Sequence, residues 1–343
     1  MLRWGVLSTA RINDRMLDAV ARSPRSEIVA VASRTAESAR DYARSHDIPV
    51  ALGSYGELAD FDGVDAVYIS LPNHLHAEWA VRMAHAGKHV LCEKPLALSV
   101  QEVDAISSAA EHTGVIVQEA CATRFHPQTA RVAEVVRSGE LGSVVFASAE
   151  FAFPLPSTVD IRLQPGYGGG ALWDLGGYPV SLFQAVLGAN PTHATGHATR
   201  GPSGVDLTFA AQLDYPDGAC VQFMVSMGSP LARSARIVGA AGTLELSQPW
   251  LTALGQVPQV RLTKMTTELG TGTFGDTAGE SVATEWAYDA SDVYLDELLW
   301  FESIVLDGAR SPYALSESRW NVAVLCALQK SATQGRRVAV GTS

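Results

Sequence analysis

His89-Val90-Leu91-Cys92-Glu93-Lys94-Pro95 decides how the rest of the chain is read. Val90 and Leu91 suit a strand covered on both faces. Pro95 has no amide hydrogen to donate, so a central strand stops there. The strand therefore ends in an acid and a base, and open α/β sheets bind ligands just beyond the carboxyl ends of their strands. Lys94 in that position reaches toward a substrate oxygen. The plainer alternative is that Glu93 and Lys94 pair with each other and close the strand.

Working outward, Leu2–Leu7 reads as a strand, followed by a helix over 12–23, a strand over 27–33 and a helix over Ala36–Ser45. A strand over 64–70 and a helix over 74–86 precede the quoted stretch. A helix over 99–112 and a strand over 115–118 follow it. Strand and helix alternate with brief connections, which predicts a Rossmann-type, doubly wound parallel sheet over residues 1–120.

The rhythm then changes. A helix runs from Pro127 to about 138, and strands are expected over 144–153, 206–215, 220–227, 235–238, 243–246, 260–265 and 282–288. Hairpin-type turns such as Pro216-Asp217-Gly218 separate several of them. Residues 121–343 thus read as an α+β domain with an open, mostly antiparallel sheet, closed by amphipathic helices over 292–306 and 316–333. Helices cover one sheet face; a partner subunit covers the other, giving a homodimer or dimer of dimers through the C-terminal sheet.

Bulk properties agree with this division. A chain of 343 residues exceeds what one core usually supports, and 47% hydrophobic with 18% charged residues describes a globular protein. Lys plus Arg number 25 against 36 Asp plus Glu, a net charge of −11, which argues against general binding to nucleic acid or anionic membranes. Cys92, Cys121, Cys220 and Cys326 form no Cys-x-x-Cys pair, so neither a metal centre nor a disulfide framework is expected. A strand pattern from Leu2 leaves no room for a signal peptide, and no apolar run approaches the roughly 18 residues of a bilayer span. The expectation is a cytoplasmic protein.

Three segments bear on a dinucleotide. The G-x-G-x-x-G/A turn would fall on Ser8, Ala10 and Asn13, so all three glycines are replaced. Small residues still let the backbone approach a pyrophosphate, and the amides of Ser8-Thr9-Ala10-Arg11-Ile12 open a helix. An ordinary strand–helix turn is the alternative. At the end of the second strand, Ser33-Arg34-Thr35 stands where an NAD site carries an acid. Arginine between hydroxyls suits a 2′-phosphate and predicts NADP(H) over NAD(H), unless Arg34 is a solvated surface residue. In Leu71-Pro72-Asn73-His74-Leu75-His76, Asn73 is a helix cap and His76 a polar group lining the cofactor crevice, or else a surface histidine. His74 and His76 do not share a helical face, which disfavours joint metal ligation.

In Gly168-Gly169-Gly170-Ala171-Leu172-Trp173-Asp174-Leu175-Gly176-Gly177-Tyr178, the triple glycine permits unusual dihedrals. Asp174 and Tyr178 are four apart and share a face of the helix it opens. The alternative is a capping Asp174 and a core Tyr178 with a satisfied hydroxyl.

Together these segments resemble the glucose–fructose oxidoreductase / inositol dehydrogenase (Gfo/Idh/MocA) family over nearly the whole length. The resemblance lies in the degenerate turn, Pro72-Asn73-x-x-His76, Glu93-Lys94-Pro95, Arg124-Phe125-His126-Pro127 and the 168–178 stretch. The last two are similar to the branch holding glucose–fructose oxidoreductase, xylose dehydrogenases and dimeric dihydrodiol dehydrogenases. Inositol dehydrogenase-like members carry histidine where this chain has Tyr178.

The resemblance implies hydride transfer between nicotinamide and a carbon bearing a hydroxyl or carbonyl, on a sugar or sugar derivative. A cyclic trans-diol or other non-sugar ring is the alternative. It implies Tyr178 as the proton donor or acceptor, with Lys94 favouring its phenolate, or Lys94 as direct carrier with Tyr178 orienting substrate. It further implies Asp174 on a substrate hydroxyl, Arg124 and Arg162 lining the substrate pocket, and Glu93 holding Lys94 or cofactor. Cys121 and Ala122, small beside the site, suggest a roomier pocket. A reading of another class is a non-catalytic NADP(H)-binding regulator; retention of Lys94, Asp174 and Tyr178 together argues against it.

Overall fold

The protein is described by a computed structural model covering residues 1–157, 159–250, 257–265, 281–288 and 292–341. The first half runs β1 (Leu2–Leu7), α1 (Asn13–Arg22), β2 (Ser26–Ala32), α2 (Ala36–Ser45), β3 (Val50–Leu52), α3 (Tyr55–Ala59) and β4 (Ala66–Ile69). It continues with α4 (His76–His85), β5 (His89–Glu93), α5 (Val100–Thr113) and β6 (Val117–Ala120). All strand pairs are parallel, in the order β3-β2-β1-β4-β5-β6. The doubly wound sheet is as the sequence predicts. Sequence reasoning passed over β3 and α3, which at three and five residues are too short to carry a period.

The second half contains α6 (Pro127–Arg137), β7 (Val144–Ala152), α7 (Ala171–Leu175), α8 (Gly177–Leu187), β8 (His193–Arg200), β9 (Asp206–Asp214) and β10 (Cys220–Ser226). It ends with β11 (Ala232–Gly239), β12 (Gly242–Leu246), β13 (Gln259–Met265), β14 (Ser281–Ala287), α9 (Val293–Asp307), α10 (Leu315–Gln334) and β15 (Val338–Ala339). Its sheet order is β14-β13-β12-β11-β7-β10-β9-β8-β15. β10 and β7 pair in parallel, and the other ladders are antiparallel. β8 lacks large apolar residues, which hid it from sequence reading. Alternate inward residues such as Ala147, Phe151, Val221, Phe223 and Ile237 are buried against helices that include α8 and α10.

Both late helices also reach the first sheet, although Leu325 and Leu328 of α10 remain in the core of the second. Val322 and Ala323 of α10 join the core that holds Val100, Val103 and Ile106 of α5. Leu298 and Phe301 of α9 enter the core on the opposite face of the first sheet, where the Phe301 ring lies 5.1 Å from that of Trp4. Arg25 and Asp307 close this contact with paired 2.8 Å hydrogen bonds, and Arg22 pairs with Asp292 beside them. Among the described residues, no helix is long and apolar enough to cross a membrane.

Candidate active site

β5 delivers Glu93 and Lys94 to its carboxyl end, and the Lys94-Pro95 peptide is cis. The Lys94 ammonium crosses to the second domain. Its Nζ donates to the backbone oxygen of Asp174 at 2.7 Å and to Oδ1 of Asp174 at 3.0 Å. It also lies 4.9 Å from the centre of the Tyr178 ring, over its face. One of the three ammonium protons remains for a ligand.

The glycine turn aims these side chains. Gly168 is left-handed (φ 72°) and its carbonyl accepts from Asn73 Nδ2 at 2.9 Å, joining the two domains. Gly170 (φ 112°) passes so close to Asp206 that a Cβ there would lie 2.2 Å from its Oδ1. That proximity is used: Asp206 accepts from the Leu172 amide at 2.7 Å and fixes the start of α7. The helix expected to carry both Asp174 and Tyr178 is divided at Gly176 into α7 and α8, yet both residues still face Lys94.

Arg162 stands beside Asp174. Its Nε and Nη2 each meet Asp160 at 2.9 Å, Nη1 lies 3.5 Å from Asp174, and its plane is over Phe153. Arg124 does something else. Its buried guanidinium donates to the carbonyl of Ser181 at 2.8 Å and to Glu317 at 2.6 Å, and lies over the Tyr313 ring. These contacts make it a clamp between α8 and α10, which corrects the expectation of a pocket-lining side chain. The guanidinium is turned inward because backbone carbonyl, carboxylate and ring all lie there.

Electrostatics distinguish the partners. Burial works against the Lys94 charge, but Asp174 and Glu93 outweigh it and hold its pKa above the ordinary lysine value. Burial first, then Glu93 and Asp174, push the Tyr178 phenol well above its usual range. The Lys94 ammonium sits over the Tyr178 ring face, with Asp174 as its counter-ion.

The substituted dinucleotide turn has its own hydrogen-bond network. Ser8 occupies a left-handed conformation (φ 129°) in place of the first glycine. Its hydroxyl is 2.7 Å from that of Ser70 and accepts the Ala10 amide at 3.1 Å. Asn13, fully buried where the third glycine would be, donates to the Ser8 carbonyl at 3.0 Å and accepts from the Ser70 hydroxyl at 2.5 Å. Among the described residues, the amides of Thr9, Arg11 and Ile12 have no partner within the chain, so they remain available to an anion at the start of α1. The turn fits a pyrophosphate.

At the end of β2, Ser33 is buried, Arg34 is exposed with no carboxylate within ion-pair distance among the described residues, and Thr35 caps α2 by accepting the Ser38 amide. Leu71 and Pro72 lead into a short 3-10 turn over Asn73–Leu75. Asn73 holds Gly168 rather than capping a helix, and His74 stacks on Tyr167 at 4.8 Å. His76 is buried, with Nδ1 2.8 Å from the Pro95 carbonyl and Nε2 2.7 Å from that of Leu71. Both ring nitrogens are engaged in bridging the ends of β4 and β5. His76 is thus a brace behind the crevice, correcting its placement as a lining group.

Sequence reasoning missed the polar groups behind Lys94. Tyr68 donates to Glu93 at 2.6 Å; Glu119 accepts from Tyr313 at 2.6 Å and from the Leu96 amide at 2.9 Å; Glu297 lies buried beneath them on α9. A signal existed for Glu297, since Val293, Glu297, Phe301 and Ile304 share one helical stripe and the other three are core residues. Cys121 contributes only to a small enclosed cavity of about 10 Å³ shared with Lys94, Trp173 and Tyr178. A broad concavity of about 880 Å³ lies on the outer face of the second sheet and includes none of these residues.

Comparison with known proteins accords with this geometry. Residues 2–121 match the oxidoreductase family with an NAD-binding Rossmann fold, and residues 129–245 match the GFO/IDH/MocA C-terminal domain. D-xylose 1-dehydrogenase (NADP(+)) 2 of Haloferax volcanii is 40% identical over 71% of this chain and 75% of its own. Human trans-1,2-dihydrobenzene-1,2-diol dehydrogenase is 36% identical over 72% of this chain and 75% of its own. The crystal structure of a 3-ketoreductase from Actinomadura kijaniata with NADP and TDP-benzene superposes with a TM-score of 0.85 at 27% identity, covering 96% and 97% of the two chains.

A parallel dinucleotide-binding sheet facing an α+β domain across a lysine–carboxylate–phenol site defines an oxidoreductase using a nicotinamide dinucleotide. The chain belongs to the Gfo/Idh/MocA family.

Proposed function

We propose that this enzyme transfers a hydride between NADP(H) and a hydroxyl- or carbonyl-bearing carbon of a sugar or sugar derivative. The observation that carries the reading is the convergence of Lys94, from the end of β5, with Asp174 and Tyr178 from the second domain. When bound, the nicotinamide supplies or accepts the hydride. Lys94 hydrogen-bonds the reacting oxygen through its free proton and, with Tyr178, gives up or takes the proton that balances hydride transfer. Asp174 and Arg162 hold neighbouring hydroxyls.

The amides of Thr9, Arg11 and Ile12 take the pyrophosphate, and the exposed Arg34 takes the 2′-phosphate. An NADP(+)-dependent xylose dehydrogenase among the relatives and NADP in the related crystal structure support this preference. Two copies meet through the outer face of the second sheet, where small side chains such as Ala210 and Ser148 border the broad concavity.

The test is a panel of aldoses, keto sugars and cyclic trans-diols with NADP⁺ or NAD⁺, following absorbance of the reduced cofactor. Turnover of aldoses with NADP⁺, lost in Lys94→Ala and sharply reduced in Tyr178→Phe while NADPH still binds, is the expected result. Wild-type rates in both variants sink the assigned roles, and turnover of diols alone moves the substrate to the non-sugar rings.

A further inference from the structure

Behind Lys94 the acids outnumber the cations that face them. Glu93, Glu119 and Glu297 converge from β5, β6 and α9, and Asp174 from α7. Lys94 and Arg162 both serve Asp174, at 3.0 and 3.5 Å. Glu93 receives the Tyr68 hydroxyl and the Lys94 amide, and Glu119 receives the Tyr313 hydroxyl and the Leu96 amide. Glu297 is only 3% exposed, and its Oε1 has no hydrogen-bond partner among the described residues.

The groups around Glu297 explain its state. Its own helix contributes Tyr294; β4 contributes Tyr68, β5 Glu93, β6 Glu119, and the second domain Tyr178, while Lys94 and Asp174 face Glu93. On the α1 side, Arg22 is committed to Asp18 and Asp292. A buried carboxylate without a cation costs several kcal/mol, so such a group keeps its proton. Burial, with Glu93 and Glu119 adding to it, indeed pushes the Glu297 carboxyl well above the usual range. Burial likewise raises Glu93, although Lys94 opposes it.

This arrangement sits at the strand ends where the nicotinamide belongs if the reading under Proposed function is right. Oxidised nicotinamide is a cation and reduced nicotinamide is neutral. We propose that Glu297, acting with Glu93 in front of it, is a positioning residue that senses the redox state of the cofactor. Binding of the oxidised ring ionises one carboxyl of this pair and releases its proton to solvent; binding of the reduced ring leaves the pair protonated. No electron moves in this step. One O–H bond of a carboxyl breaks, and the proton leaves as the nicotinamide charge arrives.

The experiment is calorimetric titration of the full chain with NADP⁺ and separately with NADPH, near neutral pH, in buffers of different ionisation enthalpy. Proton release from the 2′-phosphate site is common to both cofactors, so the difference isolates the nicotinamide charge. The expected difference approaches one proton per site, and the affinity for NADP⁺ relative to NADPH rises with pH by up to about tenfold per unit. Glu297→Gln preserves shape and should diminish the difference and flatten the affinity ratio; Glu93→Gln should do the same.

Equal proton release for the two cofactors in the wild-type protein overturns the inference without any variant. An undiminished difference in Glu297→Gln overturns the role of Glu297. Failure of either nicotinamide dinucleotide to bind overturns instead the reading of the site on which this one rests.

Discussion

The Lys94 ammonium and the Asp174 carboxylate, 80 positions apart in sequence, meet at 3.0 Å across the boundary between the two domains. Neither is more than 17% exposed, so the pair is shielded from salt, and the glycine turn before α7 aims Asp174 at the ammonium. The same ammonium covers the Tyr178 ring, which makes one strand end the organiser of groups from both halves.

Asp174 raises the pKa of Lys94, so Asp174→Asn should lower it. Where neutral Lys94 acts as base in alcohol oxidation, the rising limb of the kcat–pH profile should move to lower pH by roughly 1–2 units. The amide still accepts a hydrogen bond, so cofactor binding should persist. A profile superimposable on that of the wild type refutes the coupling.

Arg34→Ala should weaken NADP⁺ binding by about 10–100-fold, the worth of one or two charge-assisted hydrogen bonds to a phosphate. NAD⁺, lacking that phosphate, should change by less than about twofold. Dissociation constants from quenching of protein fluorescence decide it; equal losses contradict the phosphate reading.

Arg124→Met should destabilise the fold by about 1–3 kcal/mol, since it leaves the buried Ser181 carbonyl without its donor and removes the buried partner of the partly exposed Glu317. Arg124→Lys should recover only part, because an ammonium cannot serve carbonyl, carboxylate and ring together. Urea midpoints measure this. Substrate KM in whatever protein folds should stay close to wild type, and a large KM increase at unchanged stability restores Arg124 to the pocket.

His126, the cap of α6, is buried and its pKa is held down to about 4. The neutral ring is the folded form. As pH falls below the unfolded value near 6.5, the unfolded chain takes up the proton first and stability is lost until about pH 4. That loss should amount to about 2–3 kcal/mol from this residue. In His126→Asn, which keeps a capping acceptor for the Gln128 amide, the slope of stability over that range should flatten; an unchanged slope assigns the acid sensitivity elsewhere.

Residues with strong local chemistry were legible in the sequence. Pro95 ends β5, the apolar alternation set the strands of the second sheet, and Gly168 and Gly170 marked the turn that aims Asp174. What stayed hidden depends on distant partners. Arg124 looks like an anion binder until Glu317 and Tyr313, nearly 200 residues later, are folded against it. His76 looks available until the Leu71 and Pro95 carbonyls enclose it. Asn13 reads as damage to a glycine motif, whereas Ser8 and Ser70 turn it into the brace of a rebuilt turn. Short elements such as β3 are stabilised by pairing alone and leave no period behind.

The return of α9 and α10 to the first sheet has a consequence for any attempt to cut the molecule. A fragment ending near residue 120 would leave Trp4 and the α5 surface without the Phe301 and Val322 that cover them, exposing apolar patches to water. The halves are therefore not interchangeable cassettes. A chimera that swaps the second half for a relative's must inherit matching tail helices, and hinge-like separation of the whole second half from the first is barred by its own C-terminal segment.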